Sequence, residues 1–306
     1  MIKSGKPGGN RPESLEDRSR REFMVFSAAA GMAVAVATVA SPAEAAAVES
    51  REVVIKAADG ACDAVFFYPT GQRKGKTHPG ILFWSDAFGL RPVTRAMGGR
   101  LAVSGYAVLV PNQFYRTAKA PVYADLGSFN FQDPASRQKL TLHMGAVNAP
   151  GAAEADAAAY VAFLDAQPQV DPGKKIGTQG YCMGGPLIMR TAASLPDRIG
   201  AAASFHGGGL VTDKPDSPHL LAPKIKARMY FGVAANDDAR QPDVKDTLRA
   251  ALATAKVTAE VEVYSGTLHG WCMADMPMQE GRSTYSKPDA EHAWGKLLAL
   301  YQAALA

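Results

Sequence analysis

Short β-rich runs alternate with stretches of helical periodicity along most of this chain, and that alternation constrains the fold more than any other feature. The runs lie at 53–56, 64–68, 81–84, 106–110, 175–178, 201–205, 228–233 and 260–264. Helical stretches separate many of them. At 152–166, Ala157, Tyr160, Val161 and Leu164 share one face; at 289–305, Trp294, Leu297, Leu298 and Tyr301 do the same. A further stretch lies at 243–255. Apolar residues at i, i+3, i+4 and i+7 make a buried stripe on a helix. Two early strands followed by strand–helix alternation predict an α/β domain with a mostly parallel central sheet flanked by helices. The segment 112–149 lacks either pattern and is too long for an ordinary connection. It is expected to be an excursion that covers a pocket, with a loose loop as the alternative.

The hexapeptide Gly180-Tyr181-Cys182-Met183-Gly184-Gly185 sits between the run at 175–178 and a helix expected near Pro186. A G-x-nucleophile-x-G turn between strand and helix is the nucleophile elbow of α/β-hydrolases. The glycines keep side chains out of a crowded turn and lift the central side chain above the sheet edge. The helix N-terminus places partial positive charge beside that side chain, which favours a thiolate. It also offers unpaired N–H groups, that of Met183 among them, to a developing oxyanion. A buried structural cysteine in a glycine-rich turn is the bland alternative.

Two downstream residues favour the chemical reading. Asp237, in Ala235-Asn236-Asp237-Asp238, follows the run at 228–233, and His269, in Gly266-Thr267-Leu268-His269-Gly270, follows the run at 260–264. Ligand and catalytic groups of open α/β sheets lie beyond strand carboxyl ends. The order nucleophile, acid, histidine is that of α/β-hydrolases. The expected triad is Cys182–His269–Asp237, with Asp238 next door as the alternative acid. The N–H groups of Met183 and Ala87 are the expected oxyanion donors.

The motifs Trp84-Ser85-Asp86-Ala87-Phe88-Gly89, Gly180 to Gly185, Phe205-His206-Gly207-Gly208, Ala235-Asn236-Asp237 and Leu268-His269-Gly270 together resemble the dienelactone hydrolase family. The resemblance runs from about Glu52 to Leu305. It implies the α/β-hydrolase fold, a Cys–His–Asp triad and hydrolysis of lactones or other carboxylic esters through an acyl-cysteine. Two departures matter. Relatives often carry Glu near the thiol where Asp86 stands, one methylene shorter. Relatives acting on dienelactone place an Arg a few residues after the histidine; here Trp271-Cys272-Met273 follow, and the first Arg beyond is Arg282. Arg137, with Arg91 and Arg116 in competition, is the expected contact for a substrate carboxylate. Phe88, Tyr181, His206 and Trp271 are the other expected pocket residues.

The N-terminus reads as an address. Arg20-Arg21 with Phe23 resembles a twin-arginine signal, and an uncharged, weakly apolar run from Val25 to Ala43 leads to Ala43-Glu44-Ala45. The expected organisation is a signal peptide at 1–45 and a single hydrolase domain at 46–306. The Tat export machinery is then a partner and the location periplasmic or secreted, with no stable membrane association after cleavage. An uncleaved anchor is the alternative.

The 306 residues include three Cys and carry a net charge of +4 with no basic tract, so neither a disulfide scaffold nor nucleic-acid binding is indicated. No H-E-x-x-H or C-x-x-C occurs, and no metal or other cofactor is implied. His143 and His219 are expected in loops, and His78 and His292 on the surface. Acyl transfer from the same acyl-cysteine, and a non-catalytic binding protein on this scaffold, are the competing readings.

Overall fold

All eight β-rich runs form strands of one sheet in the computed structural model, which describes residues 47–306 except 71–76, 124, 128 and 280. The described strands are β1 (Val48–Ala57), β2 (Gly60–Pro69), β3 (Gly80–Trp84), β4 (Ala107–Pro111), β5 (Ile176–Tyr181), β6 (Ile199–Phe205), β7 (Arg228–Ala234) and β8 (Ala259–Tyr264). Their spatial order is β1-β2-β4-β3-β5-β6-β7-β8. The pairs β1–β2 and β2–β4 are antiparallel; the rest of the sheet is parallel. The described helices are α1 (Pro92–Val103), α2 (Pro134–Val147), α3 (Ala152–Asp165), α4 (Gly184–Ser194), α5 (Ala235–Arg240), α6 (Val244–Thr254) and α7 (Lys287–Leu305).

Every residue of β3, β4, β5 and β6 is buried. This is why β3, β4 and β6 read as continuously apolar or small: helices cover both faces of a parallel sheet. On one face, Tyr160 and Leu164 of α3 and Leu187 and Ile188 of α4 pack on Leu82, Trp84 and Leu109. On the other, Leu101 of α1 and Leu297 and Tyr301 of α7 pack on Ile81, Phe83 and Val108. The alternation along β3 and β4 assigns successive residues to opposite cores. Burial of this apolar area, at about 25 cal/mol per Å2, is the dominant stabilisation.

Strand order reverses at β3, whose neighbours are β4 and β5. The crevice beyond the strand ends at such a switch point is where open α/β sheets bind ligands. The loops after β3 and β5 flank it. The excursion is not wholly irregular as expected: α2 occupies 134–147 of it, capped at its start by Asp133, whose side chain accepts the Ser136 N–H. The proposed signal at 1–45 lies outside the described residues. Among those described, no helix is long and apolar enough to cross a membrane.

Candidate active site

Cys182 stands between β5 and α4 with φ +52°, a left-handed conformation costly for a residue with a Cβ. Steric contacts explain the neighbouring glycines. A Cβ at Gly180 would lie 2.1 Å from the Gly184 carbonyl oxygen, and one at Gly184 would lie 2.8 Å from the Trp84 oxygen. Three backbone hydrogen bonds hold the strained residue. The Cys182 N–H donates to the Phe205 oxygen (3.0 Å), and its own oxygen accepts from Gly185 (3.0 Å) and Gly208 (3.3 Å). The thiol is half-buried, neither locked in the core nor free in solvent.

Asp237 lies in the first turn of α5, which begins directly after β7. Its Oδ2 is 2.6 Å from His269 Nδ1. Asn236 fixes the histidine backbone by accepting the His269 N–H at 2.9 Å, and Gln279 donates to the His269 oxygen at 3.0 Å. Thr267 ties the loops after β7 and β8: its hydroxyl donates to the Tyr264 oxygen (2.7 Å) and accepts the Ala235 N–H (3.3 Å). The His269 side chain is also within electrostatic reach of Cys182. Burial pulls the imidazolium towards deprotonation, but the proximity of Cys182 and the bond to Asp237 outweigh it, pushing the His269 pKa up to about 10. Asp238 instead pairs with Lys245 at 2.8 Å.

The turn after β3 carries Ala87. The Phe88 N–H donates to Asp86 Oδ1 (2.9 Å) and the Gly89 N–H to the Asp86 oxygen (3.1 Å). Among the described residues, neither the Ala87 N–H nor the Met183 N–H forms a hydrogen bond. Gln113, fully buried, donates to the Asp86 oxygen from behind the turn at 2.9 Å. The Asp86 carboxylate is taken up by Arg91, through Nη1–Oδ1 at 2.6 Å and Nη2–Oδ2 at 2.9 Å. Arg91 holds Asp275 on its other side, at 2.6 and 2.9 Å. Burial opposes the charge on Arg91, yet the two carboxylates raise its pKa above the ordinary value.

The remaining expected pocket residues divide. Phe88 is buried beside Tyr123 and Leu126 of the excursion. Tyr181 does not join that pocket. Strand alternation turns its ring to the α1/α7 face, stacked between Phe83 and Phe205 at 5.2 Å from each. Trp271 is fully buried in the same core, its ring 4.8 Å from Tyr264. His206 is buried at φ +41°, with its ring 5.0 Å from His269 and 5.2 Å from Trp271. Burial, then the charge of His269, holds it neutral. Arg137 is exposed on α2. Its competitor Arg116 is committed to Asp59 and Asp156.

The expected loop position of His143 is also corrected. It is a buried residue of α2, its Nδ1 2.7 Å from the Thr117 hydroxyl, because the side chain turns under the excursion. His219 lies in a 3-10 turn, Pro218–Lys224, with Nδ1 2.8 Å from the Ser217 hydroxyl. Cys62 is a buried β2 residue whose thiol is pushed up to about 12, chiefly by burial. Cys272 is a free thiol beside a cavity of about 180 Å3 that Tyr181 and Phe205 also line. Among the described residues, no cluster of three His, Cys, Asp or Glu has metal-site geometry. Sequence reasoning missed Gln113, Thr267, Gln279 and Asp275. Each acts across a gap in the chain that periodicity cannot register.

A sequence profile of the dienelactone hydrolase family matches residues 62–305. Protein usf of Aquifex pyrophilus is 27% identical over 227 residues, covering 73% of this chain and 87% of that protein. The carboxymethylenebutenolidase of Rhodococcus opacus is 27% identical over 192 residues, 62% of this chain and 69% of its own. The crystal structure of a dienelactone hydrolase-like promiscuous phosphotriesterase from metagenomic libraries superposes with a TM-score of 0.67 at 20% identity, covering 85% of this chain and 100% of the other. At that identity the likeness speaks to the fold.

Proposed function

The chain belongs to the dienelactone hydrolase family, and on that premise we propose that this carboxylic ester hydrolase uses Cys182 as its nucleophile against lactones or small esters. The carrying observation is the strained Cys182 at the strand–helix turn, within electrostatic reach of a histidine that Asp237 holds at 2.6 Å.

His269, whose pKa is raised to about 10, takes the proton of the Cys182 thiol. The thiolate attacks the ester carbonyl carbon, and the carbonyl π electrons move to oxygen. The N–H groups of Ala87 and Met183 receive that oxyanion. The tetrahedral adduct collapses, the C–O bond to the leaving group breaks, and His269 gives its proton to the departing alkoxide. His269, now neutral, takes a proton from water as that water attacks the thioester. Collapse of the second adduct releases the acid and restores the thiolate–imidazolium pair. Asp237 fixes the imidazole orientation and stabilises its charge throughout.

Thiolates favour good leaving groups, so lactones and aryl or enol esters suit this site better than amides. The test is a panel of lactones and aryl esters with Cys182→Ala as control, together with intact-mass detection of the acyl-enzyme. Hydrolysis by Cys182→Ala at the wild-type rate would overturn the assignment.

The same proposal places the enzyme outside the cytoplasm. Arg20-Arg21, the uncharged run and Ala43-Glu44-Ala45 are the features that support Tat export and cleavage. In the native host, mature protein lacking about 45 residues is expected in the periplasmic or secreted fraction. Full-length chain in the membrane fraction would refute cleavage.

A further inference from the structure

The residue after Ala87 opens onto a group of aromatic rings that the triad does not use. Phe88 meets three rings of the excursion at their edges: Tyr123 at 5.4 Å, Phe129 at 4.9 Å and Phe131 at 6.1 Å, with interplanar angles of 87°, 79° and 70°. Phe129 in turn meets Tyr123 at 5.6 Å and Phe131 at 4.8 Å, again edge to face. Phe88 and Tyr123 are buried, with Arg91 and Lys139 over their rings, and Phe129 is half-buried. Phe131 is 46% exposed, so the group reaches solvent.

Shared packing neighbours link these rings to the loops around the candidate site. Val122 and Leu140 pack both against this group and against the core that holds Ala87 and Met183 and touches Cys182. Met276 packs against the rings and lies over Gly270, the residue after His269: its Cε is 3.1 Å from where a Gly270 Cβ would stand. The rings are therefore joined by packing to the turn after β3 and to the loop after β8.

Charge does not dominate recognition there. The Arg91 guanidinium, 5.6 Å from the Phe88 ring centre, is occupied by Asp86 and Asp275. The Lys139 ammonium, 4.8 Å from the Tyr123 ring centre, donates to the Val122 oxygen. Apolar area and ring contact are what this surface offers a ligand.

We propose that Phe129 and Phe131, backed by the buried Phe88 and Tyr123, form a shelf that seats a flat apolar group of the substrate, so that the preferred substrates are esters and lactones bearing an aromatic ring. The inference rests on the ester-hydrolase reading above and names the substrate class of that same site. The shelf binds a ring on the acyl or the alcohol side of the scissile bond, and two matched pairs cover both.

The experiment compares vinyl 3-phenylpropanoate with vinyl butanoate, and benzyl acetate with butyl acetate. Each pair shares one half of the ester and has leaving groups of similar basicity. In at least one pair the aryl member is expected to show kcat/KM roughly tenfold higher, the yield of one or two ring contacts. Phe131→Ala is expected to collapse that ratio chiefly through KM of the aryl member, and Phe131→Tyr to keep it. Hydrolysis of all four esters with no aryl preference in either pair would overturn the shelf while leaving the ester-hydrolase reading intact. An aryl preference that Phe131→Ala and Phe129→Leu both leave unchanged would overturn it as well. No hydrolysis of any of the four would overturn both.

Discussion

Two carboxylate–cation assemblies flank the crevice, and they differ in what their cation can do. Asp237 and His269 meet at 2.6 Å with side chains 20% and 26% exposed. Asp86 and Arg91 meet at the same 2.6 Å with side chains 3% and 0% exposed. The imidazole can release its proton, whereas the guanidinium stays charged throughout the range in which a protein is folded. The first pair is therefore suited to moving a proton and the second to holding position. Through Arg91, the turn that carries Ala87 is tied to Asp275, six residues beyond His269 in the following loop. Proximity of opposite charges alone does not distinguish the two; burial and the chemistry of the cation do.

The largest expected effect comes from removing the proposed proton carrier. His269→Ala is expected to lower kcat/KM on the order of ten-thousandfold, as loss of a member of an interdependent triad does. Thermal unfolding is expected to change little, since the side chain is partly exposed. A loss smaller than tenfold would remove His269 from the chemistry and erase the contrast.

Arg91→Met acts the other way, on stability first. It leaves the buried Asp86 carboxylate without its guanidinium, and breaking such a pair typically costs about 3–5 kcal/mol. A clear fall in melting temperature is expected. Arg91→Lys should recover only part of it, because an ammonium cannot make paired contacts with two carboxylates. An unchanged melting temperature for Arg91→Met would show that this assembly holds nothing together.

Asp237→Asn tests what sets the histidine. Burial favours the neutral ring, while Cys182 and Asp237 raise the pKa to about 10. The falling limb of kcat/KM in wild type is therefore expected near pH 10, where His269 loses the proton that the proposed mechanism gives to the leaving group. Removing the Asp237 charge should move that limb to lower pH and cut the rate on the order of a hundredfold. That is less than the roughly ten-thousandfold seen for a serine triad, because a thiolate needs less activation. The profile is read by stopped assays across pH 6–11; an unmoved limb would mean that Asp237 does not tune His269.

The sheet was legible because burial on both faces leaves an unmistakable trace: short runs of Val, Ile, Phe, Tyr and Ala bounded by turns. The elbow was legible because backbone crowding at Gly180 and Gly184 admits no other residue. Helix α1 was not, since it carries Gly98 and Gly99 in its interior, against helical propensity. A Cβ at Gly98 would lie 2.8 Å from Val110 and 3.0 Å from Phe67, so packing on the sheet dictates the residue. Helix α2 buries only His143 and Val147, which leaves no apolar stripe to read. Arg91 is bound to Asp275 across 184 residues of chain, and nothing local marks such a pair. Tyr181 misled for a related reason: adjacency to Cys182 in sequence places it on the opposite face of the sheet.

The smallest expected effect decides between neighbours that the sequence left open. Asp237 and Asp238 are adjacent in Ala235-Asn236-Asp237-Asp238, and either is a carboxylate just beyond a strand end. The helical turn of α5 sends them in different directions, Asp237 to His269 at 2.6 Å and Asp238 to Lys245 at 2.8 Å. The Asp238–Lys245 pair is partly exposed, with side chains 23% and 22% accessible. Such pairs contribute about 0–1 kcal/mol. Asp238→Asn is therefore expected to leave kcat/KM and its basic limb close to wild type, with a melting shift of at most a few degrees. Measured beside Asp237→Asn under the same conditions, it separates the two carboxylates cleanly. A basic limb that moves with Asp238→Asn but not with Asp237→Asn would reassign the acid of the triad.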